Sequence, residues 1–139
     1  MNRTQIREHI FIMLFRADFH EKDELEEQME MYLDGVENAS NKDKEEIRTK
    51  FFGIIDKKDE IDIMIEQNAK DWTVSRIAKA ELTVLRLAIY EAEFDDDIPE
   101  RVAINEAVEL AKKYGDDKAS AFINGILGGI VRSQDGKPQ

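Results

Sequence analysis

Two histidines, 31 carboxylates and no cysteine make up the reactive side chains of this sequence. His9 and His20 lie 11 positions apart on or near the first helix, which sets both on roughly one face. Zinc requires a third protein ligand, and no acidic residue stands where a metal-binding motif would put one, so no metal site is expected. Without cysteine there is neither a disulfide framework nor a thiolate metal site. With 31 acids in 139 residues, neighbouring carboxylates arise by chance and read as solvated helix faces, not as acid–base dyads. Gly125-Ile126-Leu127-Gly128-Gly129 has no preceding strand and no lysine–serine pair, so it fails as a phosphate loop. Close helix packing is the expected reason for those glycines. No catalytic constellation is left, and no cofactor is expected.

Two polar positions stand out. Asn105 and Glu106 lie within the helical run Val102-Ala103-Ile104-Asn105-Glu106-Ala107, and Asn124 lies between Ile123 and Gly125. Asparagine lowers helix propensity in an interior position, so each calls for a packing or binding reason. The simplest one is an amide satisfied inside the fold. Cations that could meet an anion are sparse. The net charge is −11, which opposes general nucleic-acid binding. Its distribution is uneven: residues 1–16 hold Arg3, Arg7 and Arg16 against Glu8 alone, whereas residues 17–70 hold 17 acids and 8 bases.

The elements that must carry these groups are helical. Prolines occur only at 99 and 138, and long breaker-free stretches show a 3.6-residue apolar period. Ile6, Ile10, Met13, Leu14 and Ala17 form one stripe. Leu25, Met29, Tyr32, Leu33 and Val36 form a second, stopped near Gly35 and Asn38. Ser40 or Asn41 caps a third helix with Ile47, Phe51, Ile54 and Ile55. Asp59 is the expected cap of a fourth, with Ile61, Ile65 and Ala69. The run from Ser75 to about Phe94 is apolar on most of its surface and belongs at the centre of a bundle. Asp95-Asp96-Asp97-Ile98-Pro99 ends it. The next helix carries Val102, Ala103, Ala107, Leu110 and Ala111 and ends at Tyr114-Gly115, where Gly115 suits a left-handed cap. Asp116 or Asp117 caps the last, with Phe122, Ile123, Ile126, Leu127 and Ile130. No strand pattern, internal repeat or membrane-length apolar run occurs. The expectation is an all-α bundle of about seven helices over residues 1–132, with 133–139 a loose tail. Without a signal region, the default location is cytoplasmic.

Several blocks taken in order carry a family resemblance. They are Trp72, Arg76 and Ile77; Glu81-Leu82-Thr83-Val84-Leu85-Arg86-Leu87-Ala88-Ile89-Tyr90-Glu91; Ile98-Pro99; Val102 through Lys112; and Phe122-Ile123-Asn124-Gly125-Ile126-Leu127. Together they resemble the NusB family of transcription antitermination factors over roughly residues 70–130. The N-terminal half matches mainly through Arg7-Glu8 and Leu14-Phe15. The resemblance implies two small three-helix subdomains and a non-catalytic adaptor. It implies binding of the single-stranded boxA element of ribosomal RNA transcripts, a heterodimer with the ribosomal protein NusE, and work within an RNA polymerase antitermination complex. A basic NusE would complement an acidic chain.

By the same resemblance RNA falls on the N-terminal segment and the start of the last helix. Arg3, Arg7 and Lys118 would meet phosphates, and Phe15 and Phe122 would stack on unpaired bases. Core packing is the competing role for both phenylalanines. Glu81, then Glu91 and Glu106, would face NusE, while Trp72 is expected to anchor the two halves. Arg76 and Arg86 would reach RNA or pair within the fold. Family members commonly begin with a dense arginine run, thinned here to Arg3 and Arg7, which implies weak RNA binding without the partner. Two other roles are compatible with such a chain. One is the NusB-like domain of a ribosomal-RNA cytosine methyltransferase; the other is a structural homodimer without an RNA role.

Overall fold

A computed structural model describes residues 1–70 and 72–135. Among them there are six α-helices and no strand: α1 Arg3–Ala17, α2 Leu25–Asp34, α3 Asn41–Asn68, α4 Lys79–Glu93, α5 Glu100–Tyr114 and α6 Asp117–Asp135. Short 3-10 turns at Lys22–Glu24 and Val74–Arg76 precede α2 and α4. Residues 136–139 of the expected tail lie outside the described residues. The chain forms two units, Met1–Ile55 and Asp56–Gln139.

In the first unit, Asn2 caps α1. Its side-chain oxygen accepts from the Gln5 amide at 2.8 Å, and Gln5 Oε1 accepts from the Asn2 amide at 3.0 Å. This fixes the register that buries Ile6, Ile10, Met13 and Leu14. From α2, Leu25, Met29 and Leu33 join the core. The left-handed backbone after α2 falls on Asn38 at φ 61°, not on Gly35. Ser40 then caps α3, with its hydroxyl accepting from the Asp43 amide at 3.0 Å.

The third and fourth helices expected from the sequence are one helix, α3, which starts in the first unit and ends in the second. Asp59 therefore sits inside a helix and caps nothing. The buried residues Ile47, Phe51, Ile54, Ile61 and Ile65 follow one helical register, so no change of face forces a break, and Gly53 alone does not impose one. Six helices in place of about seven is the consequence.

The second unit is built around α4, in which every residue from Leu82 to Ile89 is buried. The helix starts at Lys79 instead of Ser75. Ile77 and Ala78 take extended backbone, with ψ of 135° and 140°, and Ile77 is buried in that conformation. Tertiary seating overrides the helical pattern there. Asp116 caps α6, accepting from the Ala119 amide at 2.7 Å. Gly115 is not left-handed, for its φ is −134°. It is glycine because a Cβ there would lie 2.9 Å from the Ala111 carbonyl oxygen and 3.0 Å from the Ala119 Cβ.

Candidate nucleic-acid interface

The first unit holds three of the expected RNA residues. Arg3 is exposed in the first turn of α1. Arg7 is only 5% exposed, so its charge does not stand open to a phosphate as expected. It falls on the same stripe as Ile6, Ile10 and Leu14, and a long side chain there is drawn over the core. Phe15 is half-buried between Phe11 and Phe19, with ring centroids 6.4 and 6.2 Å away. Phe19, which nothing in the sequence singled out, is 69% exposed. His20 lies beyond the end of α1 and does not share a face with His9. His9 Nδ1 instead meets the Tyr32 hydroxyl at 2.6 Å. Burial holds the His9 imidazole below its ordinary pKa, with Glu8 opposing. Arg16 lies over the Tyr32 ring at 5.2 Å.

The second unit brings more together. A concavity of about 480 Å³ is lined by Trp72, Arg76, Glu81, Asp116, Lys118 and Phe122, together with Ile77, Ala78 and Ala119. The Val74–Arg76 turn and the extended Ile77–Ala78 linker supply one wall, and the start of α6 supplies the other. Trp72 is 47% exposed, so about half of its surface is open. The Arg76 guanidinium lies 5.4 Å from the Trp72 ring centroid. Lys118 is exposed in the first turn of α6, where backbone amides also favour anions. Phe122 is half-buried one turn further on.

Glu81, assigned by the family resemblance to a protein partner, lies in this same concavity with Lys118 and Phe122. Burial raises its pKa, and the nearby Asp116 carboxylate raises it further. The other two expected partner contacts differ. Glu91 is 2% exposed, because it falls on the broad buried stripe of α4, and does not stand open to a partner. Glu106 is half-buried and engaged within the fold. Arg86 also takes the internal role, with Nε donating to Asp62 at 2.8 Å.

Asn105 and Asn124 are both exposed, contrary to the expectation of internally satisfied amides. They line a second groove of about 600 Å³ between α5 and α6, with Val108, Glu109, Lys112 and Ser120. Nor does close packing explain Gly125, since a Cβ there would meet nothing within 4 Å; at Gly129 the packing reason holds, because Asn68 Oδ1 would lie 2.9 Å away.

Two aromatic rings, two cations and a capped helix start line this cleft of an all-helical protein, and the class of protein is fixed by its relatives. The chain belongs to the NusB family, whose sequence model matches residues 4–132. It is 49% identical to the transcription antitermination protein NusB of Agathobacter rectalis over 127 residues, 91% of this chain and 97% of that one. To the protein of the same name from Lachnoclostridium phytofermentans it is 46% identical over 131 residues, 94% and 99% of the two chains. Among solved structures, T. maritima NusB superposes with a TM-score of 0.86 at 36% identity, covering 95% of this chain and 92% of that one. A chain from the complex of the antitermination factors NusB and NusE with double-stranded RNA gives a TM-score of 0.81 at 26% identity, covering 94% and 96%.

Proposed function

We propose that this protein is a non-catalytic antitermination adaptor that binds boxA-type single-stranded RNA of ribosomal transcripts together with NusE, in the cytoplasm and within an RNA polymerase antitermination complex. The observation that carries the reading is the concavity in which Trp72, Arg76, Lys118 and Phe122 converge. Single-stranded recognition combines ring faces for bases with cations for phosphates, and this surface offers both. Support for a shared RNA and NusE role comes from the solved complex, whose NusB, NusE and RNA are found together. The relatives that match nearly end to end carry the NusB name, which favours an adaptor over a methyltransferase domain.

Of the two first-unit arginines expected to meet phosphate, Arg3 is the exposed one, and Phe15 and the exposed Phe19 offer ring surfaces in the same unit. The cations are few. Each phosphate neutralised contributes one step to the salt dependence, so the lone chain binds RNA weakly and depends on NusE. The net charge of −11 suits a basic partner.

The test is a titration of fluorescent boxA RNA with this protein, with and without NusE, at two salt concentrations and against a scrambled RNA of equal length. Tighter binding with NusE and a preference for boxA support the adaptor. Failure of both RNAs to bind with NusE present contradicts it. Tight, salt-insensitive binding by the lone chain contradicts the dependence on NusE.

A further inference from the structure

Three residues on one surface of the second unit work against helix stability. Asn105 of α5 and Asn124 of α6 are exposed in helix interiors, where asparagine is a poor helix former. Gly125 follows Asn124 in mid-helix, and a Cβ on it would meet nothing within 4 Å, so alanine would fit there and hold the helix better. Local choices that cost stability and that packing does not explain mark a surface kept for another purpose. Asn105 and Asn124 line the groove of about 600 Å³ between α5 and α6. Gly125 stands one turn beyond Ala121, another lining residue, on the same face of α6.

The chemistry of the groove narrows what can fill it. Each asparagine amide carries donors and an acceptor together, the pattern that complements a peptide group. The side chain is short, so the peptide must come close, and the small residues Ala121 and Gly125 leave room for a backbone to do so. A helical segment would not serve, because its interior peptide groups are bonded within the helix; an extended segment has its N–H and C=O groups free. Nor does the groove favour phosphate. The cation in its lining, Lys112, lies 3.6 Å from the Glu109 carboxylate of the same lining, so the two charges offset each other.

We propose that the α5–α6 groove is a peptide-docking site for an extended, uncharged segment of a protein partner. Asn105 and Asn124 bond the main chain of that segment, which crosses α6 at Gly125. The site is separate from the concavity, because Lys118 and Phe122 stand on one face of α6 and Ala121, Asn124 and Gly125 on another. It adds a second surface and does not depend on the RNA-binding reading.

The test pans a phage-displayed library of random short peptides on the full chain. Enriched peptides are then synthesised with and without N-methyl groups at alternate residues, which remove main-chain donors and leave the side chains unchanged. The expected peptides are uncharged and shift the side-chain amide NMR resonances of Asn105 and Asn124 saturably. Asn105→Ala and Asn124→Ala should each bind them about 5-fold more weakly, the size of one neutral hydrogen bond. N-methylation and Gly125→Leu should each abolish binding. If Gly125→Leu does not fold, the asparagine variants and the N-methyl comparison carry the same test. A library that yields no binder overturns the site. So do peptides that bind all the variants as tightly as the parent, or that bind equally when N-methylated. An oligouridine that moves the two amide resonances where no peptide does would assign the groove to nucleic acid and overturn the peptide reading.

Discussion

Arg86 of α4 holds Asp62 of α3 through two hydrogen bonds, Nε to Oδ1 at 2.8 Å and the second guanidinium nitrogen to Oδ2 at 2.9 Å. The pair is largely buried and ties the central helix of the second unit to the end of α3. A parallel two-point contact of this kind fixes direction as well as distance. It accounts for a charged residue within the otherwise apolar run of α4.

Removing Asp62 takes the two-point carboxylate partner from a largely buried guanidinium. Asp62→Ala should therefore destabilise the protein by about 3 kcal/mol, read from urea denaturation. A loss within a few tenths of a kcal/mol would mean that water replaces the carboxylate without cost. Arg48 is the contrast: it meets Glu30 at 2.8 Å and Glu45 at 2.6 Å, but all three are more exposed. Arg48→Ala should cost no more than about 1 kcal/mol.

Gly125 in α6 and Gly115 at the end of α5 should respond in opposite directions. A methyl at Gly125 enters open space, so Gly125→Ala should stabilise the helix by about 1 kcal/mol. Gly115→Ala should destabilise, since its Cβ would press on the Ala111 carbonyl 2.9 Å away. Thermal melts of the two variants give the signs directly, and a stabilised Gly115→Ala would contradict the packing described for that turn.

Glu81 links stability to pH. Burial, then the Asp116 charge, raises its pKa in the folded state. A raised carboxyl pKa means that the fold favours the protonated form. The resulting stabilisation is full below the unfolded-state pKa and is lost as pH rises through the folded-state value. At neutral pH the ionised carboxylate opposes folding, so Glu81→Gln should melt higher than the parent. Well below the ordinary value of 4.5 the two should melt alike. Equal melting temperatures at neutral pH would show that the carboxylate is better solvated than its setting indicates.

Much of the fold was legible in the sequence because apolar period and capping chemistry act locally. Ser40 and Asp116 cap where their side-chain chemistry suggests, and the stripes of α1, α2 and α5 are buried where the period puts them apart from Tyr32 and Val36, which are half-buried, and Val102, which is exposed. The fusion of two expected helices into α3 was not, because an acidic residue in mid-helix looks the same in sequence as an N-cap. At the site, Lys118 and Phe122 are brought together as neighbours one turn apart should be. The exposure of Trp72 was not legible, because a lone aromatic beside a helix carries no mark of which side it faces. The burial of Arg7 was passed over because an arginine is read as a surface residue by type, although its place on the Ile6–Ile10 stripe was a usable signal.

Lys118 and Trp72 should separate charge from stacking. Lys118→Ala should weaken RNA binding and lower the salt slope by about one. Trp72→Ala should weaken binding by about 1–3 kcal/mol and leave the slope unchanged. Because Trp72 is substantially exposed, its removal should leave the melting temperature nearly intact. Identical salt effects in both variants would argue against distinct roles.

The chain has a single tryptophan, and it lies in the concavity, so its intrinsic fluorescence reports on that site alone. The decisive measurement is a titration with unlabelled boxA RNA in the presence of a NusE variant lacking tryptophan, with binding followed in parallel by anisotropy of labelled RNA. Base stacking at the concavity predicts saturable quenching of Trp72 with the same midpoint as the anisotropy change. RNA that binds by anisotropy and leaves Trp72 emission unchanged would place the interface elsewhere and contradict the proposed site.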